Sequence, residues 1–345
     1  MFENTGKSNL KELGEFGLIR HLTSDLKIKN SSTIKGVGDD AAVIDSGDYF
    51  TLVTTDMLVE GIHFNMVYSP LKHLGYKAVT VNLSDIYAMG GKPEQITVAL
   101  AISSKYTIEA LEEFYLGMKI ACEKYGVDLV GGDTTSSFSG LVISITAIGK
   151  VEKNKVIYRN GAKEKDLICV SGDLGAAFMG LKILEREMEV YKASPEIQPD
   201  LEGFDYILER QLKPEPRKDV IEFLQSLEIT PTAMIDISDG LASEIIHICS
   251  QSETGCMIYE EKLPIDHSTQ ETALELNIDP TTCALNGGED YELLFTISLN
   301  DYEKVKDSNL ISVIGHITDK NAGYSLVTKD NKVHEIKAQG WNAFN

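Results

Sequence analysis

Apolar and polar positions along the chain follow two alternating rhythms. Runs rich in β-branched residues, at Phe50 to Thr54, Ile96 to Ile102, Leu141 to Ile148, Leu167 to Val170, Tyr291 to Ile297 and Ile311 to Ile314, read as strands. Segments of helical period lie between them. The clearest helix starts after Thr107 as N-cap, with Glu109 in its first turn and Gly126 as its stop; Ile108, Leu111, Tyr115, Met118 and Cys122 are spaced for one face. A second follows Ser69-Pro70 and carries Leu74, Ala78, Val81 and Asp85 along one side. The pattern predicts an α/β (α+β) protein. The polar stretch from Lys150 to Lys165, set between two strands, predicts a division into an N-terminal domain over 1–150 and a C-terminal α/β domain over 151–345.

One local design recurs on this frame: a strand or apolar helix runs into a small or Gly-rich turn bearing aspartate. It reads GVGDDAAVI (36–44), VTTDM (53–57), VNLSDI (81–86), LVGGDTT (129–135) and MIDISDGL (234–241). Hydroxyls stand beside the acids at Thr54, Thr55, Ser84, Thr134 and Ser238. Carboxylate and hydroxyl oxygens are hard ligands suited to Mg²⁺, which keeps some waters and shares phosphate oxygens. A single aspartate at a turn is ordinarily a cap or turn residue. Five copies of one design point instead to a shared cation, because converging carboxylates raise one another's pKa and a divalent ion stabilises them.

Charge narrows the partners. The 345 residues contain 53 Asp and Glu against 32 Lys and Arg, a net charge of −21 that repels nucleic acid and anionic membranes. The five cysteines (122, 169, 249, 256 and 283) are odd in number and never form C-x-x-C, a usage that fits reduced thiols in the cytoplasm. No apolar run has the length of a signal peptide or a membrane span. Two motifs are decoys. Gly36-x-Gly38-x-x-Ala41 imitates a dinucleotide turn, but Asp39 and Asp40 would face the pyrophosphate; Gly6-Lys7-Ser8 echoes a P-loop without a preceding strand. The seven histidines lack zinc spacing, and there is no nucleophile elbow or protein-kinase catalytic loop. Glycines 131 and 132, beside Asp133, and 287 and 288, before Glu289-Asp290, have the form of turns that admit a ligand to the backbone.

In order along the chain, GEFGLI, GVGDDAAVI, TTDMLVEGIHF, KAVTVNLSDIYAMGG, LVGGDTT, YRNGAK, MIDISDGL and NGGEDYELLF resemble the thiamine-monophosphate kinase family from Gly14 to Phe344. The wider superfamily of aminoimidazole ribonucleotide synthetase is similar at GDDA, NLSD, GGDT and DISDG. The resemblance implies a two-domain fold whose N-terminal sheet pairs with that of a second subunit in a barrel-like homodimer. It implies ATP, several Mg²⁺ and thiamine monophosphate as ligands. Carried over by motif, Asp40, Thr54, Thr55, Asp56, Asp85, Asp133, Asp236 and Asp239 would hold metal; Tyr115, Gly132, Asp133, Arg159 and Ser238 would face the nucleotide. His63, Glu289 and an aromatic of the tail, Trp341 or Phe344, would meet the thiamine moiety.

Transfer to an acceptor phosphate needs no general base, since the attacking oxygen is already anionic near neutral pH. What remains is alignment and the cancellation of crowded charge. An abundance of aspartate without an evident nucleophile fits that chemistry. Two other readings share the acidic turns: an ATP-dependent ligase of the aminoimidazole ribonucleotide synthetase type, and a non-catalytic cation-binding scaffold.

Overall fold

The structure, a computed structural model, describes residues 10–340. Helix α1 (Leu10–Thr23) precedes a sheet of β1 (Thr33–Lys35), β2 (Ala42–Asp45), β3 (Tyr49–Val59), β4 (Lys92–Ser103), β5 (Asp128–Ser137) and β6 (Leu141–Glu152), in spatial order β1-β2-β3-β6-β4-β5. Helix α2 (Leu71–Ala88) packs on β3, β4 and β6, and α3 (Ile108–Tyr125) packs on α2. A second sheet, ordered β13-β12-β9-β11-β7-β10-β8, uses β7 (Leu167–Ser171), β8 (Ala233–Asp236), β9 (Gly255–Tyr259), β10 (Leu293–Ile297), β11 (Ile311–Thr318), β12 (Tyr324–Val327) and β13 (Val333–Glu335). Its helices are α4 (Ala176–Ala193), α5 (Asp205–Leu212), α6 (Lys218–Ser226), α7 (Leu241–Ser252), α8 (His267–Glu275), α9 (Pro280–Asn286) and α10 (Tyr302–Val305).

All six expected strand runs are strands, and several run longer than expected. Thr54-Thr55-Asp56 lies inside β3, not at a turn, because β-branched threonines suit an extended, half-buried strand. Likewise GGDTT lies within β5, and Ser84-Asp85 lies in the last turn of α2. Only the GDD and SDG segments are turns. Tyr291 is not in the strand: it and Glu289 take left-handed backbone conformations, at φ 51° and 58°, so β10 starts at Leu293.

Helix α3 is capped as read, with the Thr107 hydroxyl accepting from the Ala110 N–H and Gly126 left-handed at the C-terminus. Its buried face differs. Phe114, Gly117, Met118, Ala121 and Tyr125 are buried, while Ile108 is exposed. The cause is the α2–α3 crossing: a Cβ on Gly75 would stand 1.9 Å from the Phe114 carbonyl oxygen, and one on Gly117 would stand 1.9 Å from that of Lys72. Two glycines let the backbones touch, and that contact sets the helix's rotation. Helix α2 is buried almost throughout, sandwiched between the first sheet, α3 and, through β8, the second sheet. The last turn of α2, with Ser84 and Asp85, is thereby presented to both halves of the molecule.

Candidate active site

Side chains alternate across a strand, so Leu52, Thr54, Asp56 and Leu58 of β3 share the face that meets α2. Asp85 projects toward them from α2, and its carboxylate accepts the Thr54 hydroxyl at 2.5 Å. Ser84 turns to the other sheet and donates to Asp236, the last residue of β8, at 2.6 Å. Asp40 arrives from the turn before β2. Ligand oxygens of Asp40, Asp85 and Asp236 all lie within 4.8 Å of one another. Arg159 reaches Asp40 at 2.8 Å, and its backbone N–H donates to Asp39 at 3.0 Å.

Such crowding has a cost that shows in the titration. Burial, then the charges of Asp56, Asp236 and Asp40, push Asp85 well above the ordinary carboxylate range. Burial and Asp40 push Asp236 up to about 7 and Asp56 up to about 6. Asp239, raised by burial and by Glu15, stands at about 6. One oxygen of Asp40 is buried without a hydrogen-bond partner. Carboxylates held this close, with one acceptor left over and a single guanidinium against them, have the chemistry of a divalent-cation site. Mg²⁺ fits these residues.

Not every expected ligand joins the group. Thr55 points to the opposite face of the sheet from Thr54 and Asp56, where its hydroxyl donates to the Ile145 carbonyl at 3.1 Å. Sequence adjacency counted it as a ligand; strand pleat removes its side chain from the cluster. Asp133, on edge strand β5, pairs in register with exposed Ala99 of β4, also on the open face, and stands three strands from β3, about 14 Å. Of the two glycines beside it, Gly132 serves packing, since a Cβ there would lie 1.8 Å from the Val98 carbonyl oxygen, whereas Gly131 borders open space. Gly287 and Gly288 are likewise closed in, by Phe178 and by the Ser238 carbonyl. Tyr115 sits half-buried on α3, edge to face with Phe114 at 6.0 Å. Ser238 and Asp239 occupy the turn between β8 and α7. Trp341 and Phe344 lie outside the described residues.

Glu289 and His63 form a second group. Lys77 of α2 pairs with Glu289 at 2.9 Å and donates to the Gln211 carbonyl, while the Gln211 amide donates to the other Glu289 oxygen at 2.8 Å. His63 accepts the Val59 N–H through Nδ1 at 3.0 Å; burial lowers its pKa, against the nearby Glu289 charge.

Four residues of this architecture escaped the sequence reading. Asn82, buried, accepts the Asp56 N–H at 3.0 Å and so orients that strand. Glu244, buried, accepts the Asp239 N–H at 2.9 Å and shapes the SDG turn. Its signal was an acid in the first turn of a helix. Lys77 and Gln211 carried no local signal, since their partner lies far off in sequence.

A family model described as AIR synthase related protein, N-terminal domain, matches residues 38–151. The thiamine-monophosphate kinase of Bacillus subtilis is 36% identical over 338 residues, spanning 96% of this chain and 100% of the relative. That of Aquifex aeolicus is 35% identical, over 97% and 99% of the two chains. A solved structure described as AaThiL complexed with AMPPCP and TMP superposes with a TM-score of 0.82 at 32% identity, covering 99% of this chain and 100% of that one.

Proposed function

The chain belongs to the thiamine-monophosphate kinase family, and from that premise we propose that its acid cluster is the metal site of an in-line phosphoryl transfer. It is a phosphotransferase that uses ATP to convert thiamine monophosphate to thiamine diphosphate. The convergence of Asp40, Asp85 and Asp236 from three separate elements carries the reading of the site. In it, these three with Asp56, Asp239 and the Thr54 hydroxyl hold Mg²⁺, which when bound neutralises phosphate charge in the transition state. Thr55 is left out. Gly132 and Asp133 at the exposed β5 edge, with Tyr115 and Ser238, are assigned to the nucleotide.

Arg159 pairs with Asp40 and aims its carboxylate, and supplies a fixed positive charge at the edge of the cluster. Lys77 and Gln211 hold the Glu289 carboxylate as an acceptor facing the cationic thiamine rings, with His63 beside it and Trp341 or Phe344 as the stacking partner. No residue is needed as a base, because the acceptor phosphate oxygen is anionic. We propose the domain division at 150/151, two residues before β6 ends, because the strands of one sheet lie within residues 33–152 and those of the other within residues 167–335.

The homodimer belongs to the same proposal. Met57 on the open sheet face and Leu129 and Val130 on the edge strand are exposed, an apolar surface suited to a second copy. No helix among the described residues is long and apolar enough to cross a membrane.

Incubation with ATP and Mg²⁺ and each of thiamine, thiamine monophosphate and formylglycinamidine ribonucleotide, followed by chromatography, tests the function. Thiamine diphosphate and ADP are expected from the monophosphate alone. Aminoimidazole ribonucleotide from the third acceptor would assign a ligase, and ADP formation from none of the three would leave a scaffold. Sedimentation tests the dimer; a monomer at micromolar concentration contradicts it.

A further inference from the structure

A cavity of about 590 Å³ opens where the first sheet meets α6, away from the acid cluster. Its walls come from both halves of the chain: the start of β3 at Tyr49, the end of α2 at Tyr87, the start of β4 at Lys92, the end of β6 at Lys150, and Lys218 of α6. Asp85 and Tyr87 are two residues apart on α2, about 200° around the helix, so the acid cluster and the cavity flank opposite sides of its last turn.

The charge of this cavity runs against that of the protein. Four lysines, Lys92, Lys150, Lys155 and Lys218, line it against two acids, Glu152 and Glu222, in a chain whose net charge is −21. Lys155 pairs with Glu152 at 2.7 Å, Lys218 with Glu222 at 3.5 Å, and Lys150 with Glu94 just outside. Those lysines stay roughly half exposed, so their charges face water and can be shared with a ligand. Tyr49, Tyr87 and Tyr125 supply flat rings, and Val151 and Ile221 supply apolar wall. The adjoining glycines do not make a backbone cradle: the Gly90 and Gly91 N–H groups already donate to Tyr87 and Ile86 carbonyls. Ammonium groups around aromatic walls, in a volume of drug-like size, select a small anion with a ring.

We propose that this cavity is a second ligand site, for a small phosphorylated molecule bearing a planar ring, distinct from the site of phosphoryl transfer. The wall is continuous with the catalytic side. Lys155 lines the cavity, Ile157 donates its N–H to Met89 at the end of α2, and Arg159, two residues on, grips Asp40. A ligand that draws Lys155 inward therefore pulls on the segment that positions Arg159, which makes the site a means of setting activity from a distance.

Pyridoxal 5′-phosphate is a suitable probe, since it joins a ring to a phosphate and its aldehyde condenses with a nearby lysine amine, releasing water, to an imine that borohydride reduces to a stable amine. The full-length protein is labelled in the presence of saturating ATP and Mg²⁺ and mapped by peptide mass spectrometry. The label is expected on Lys92, Lys150, Lys155 or Lys218. The double variant Lys92→Gln/Lys218→Gln should weaken equilibrium probe binding by at least about tenfold while ADP formation without probe stays within about twofold of wild type. Label spread over surface lysines in proportion to exposure, label concentrated at Lys77, or loss of labelling when ATP and Mg²⁺ are added would each overturn the proposal. Because binding is read directly, it stands or falls separately from the kinase assignment.

Discussion

Replacing Asp85 with asparagine separates what the acid cluster costs the fold from what it does for catalysis. With an effective dielectric of about 20, two unit charges at the 4.8 Å bound repel by about 3.5 kcal/mol, so three ionised pairs amount to about 10 kcal/mol. On the same scale the 2.8 Å Arg159–Asp40 pair offsets about 6, leaving a surplus of about 4 kcal/mol. Burial adds to the repulsion: it is the largest cause of the rise of Asp236 from an ordinary 3.8 to about 7, with the Asp40 charge next. Asp85→Asn removes two of the three repulsions, and the amide oxygen still accepts the Thr54 hydroxyl. Without metal at pH 8 the variant should therefore be more stable than wild type by roughly 2–4 kcal/mol, a rise in Tm of at least about 3 °C. Excess Mg²⁺ should raise the wild-type Tm and leave the variant nearly unmoved, and kcat should fall at least about 100-fold. The sign with pH follows from the same groups. Raised aspartates keep protons in the folded state that the unfolded chain has released, so metal-free wild type should lose stability as pH rises from about 4 to about 7, the window set by Asp56, Asp239 and Asp236. Differential scanning calorimetry in chelator and in Mg²⁺, across that range, measures all of this. A variant that melts below wild type in chelator at pH 8, or that keeps the full Mg²⁺-dependent rise, refutes the reasoning.

Asp133→Asn, on the other sheet face, should leave the Mg²⁺-dependent rise in Tm intact and raise the KM for ATP at least about tenfold; steady-state kinetics and the same melts distinguish it from Asp85→Asn. Lys77→Met leaves Glu289 with Gln211 alone, and should raise the KM for thiamine monophosphate by about tenfold with a smaller change in kcat. An unchanged KM would remove Glu289 from the acceptor site. Gly117→Leu drives a side chain into the α2–α3 backbone contact and should destabilise by at least about 3 kcal/mol, read by chemical denaturation; wild-type stability would mean that the helices separate freely.

Much of this protein is legible locally. Strand runs, the Thr107 and Gly126 caps of α3 and the recurrence of aspartate beside hydroxyls depend on neighbours within a few residues, where periodicity and turn chemistry act. The family resemblance likewise follows from short motifs in order. What escaped depends on contacts between distant segments. The face that α3 buries was decided by Gly75 and Gly117 meeting backbone carbonyls across the crossing, not by the spacing of its apolar residues. Thr54 and Thr55 are chemically alike in sequence, and only the pleat of β3 sends one into the cluster and the other to the open face. Asp133 carries the same motif as the other acids, yet its edge strand sets it apart from them. Lys77 and Gln211 became recognisable once α2 and α5 had met the left-handed turn at Glu289. The sequence by itself determined which chemical groups are present and the period of each element; the tertiary structure alone decided which of those groups share a volume, because charge coupling and packing act over ångströms in space and not over positions along the chain.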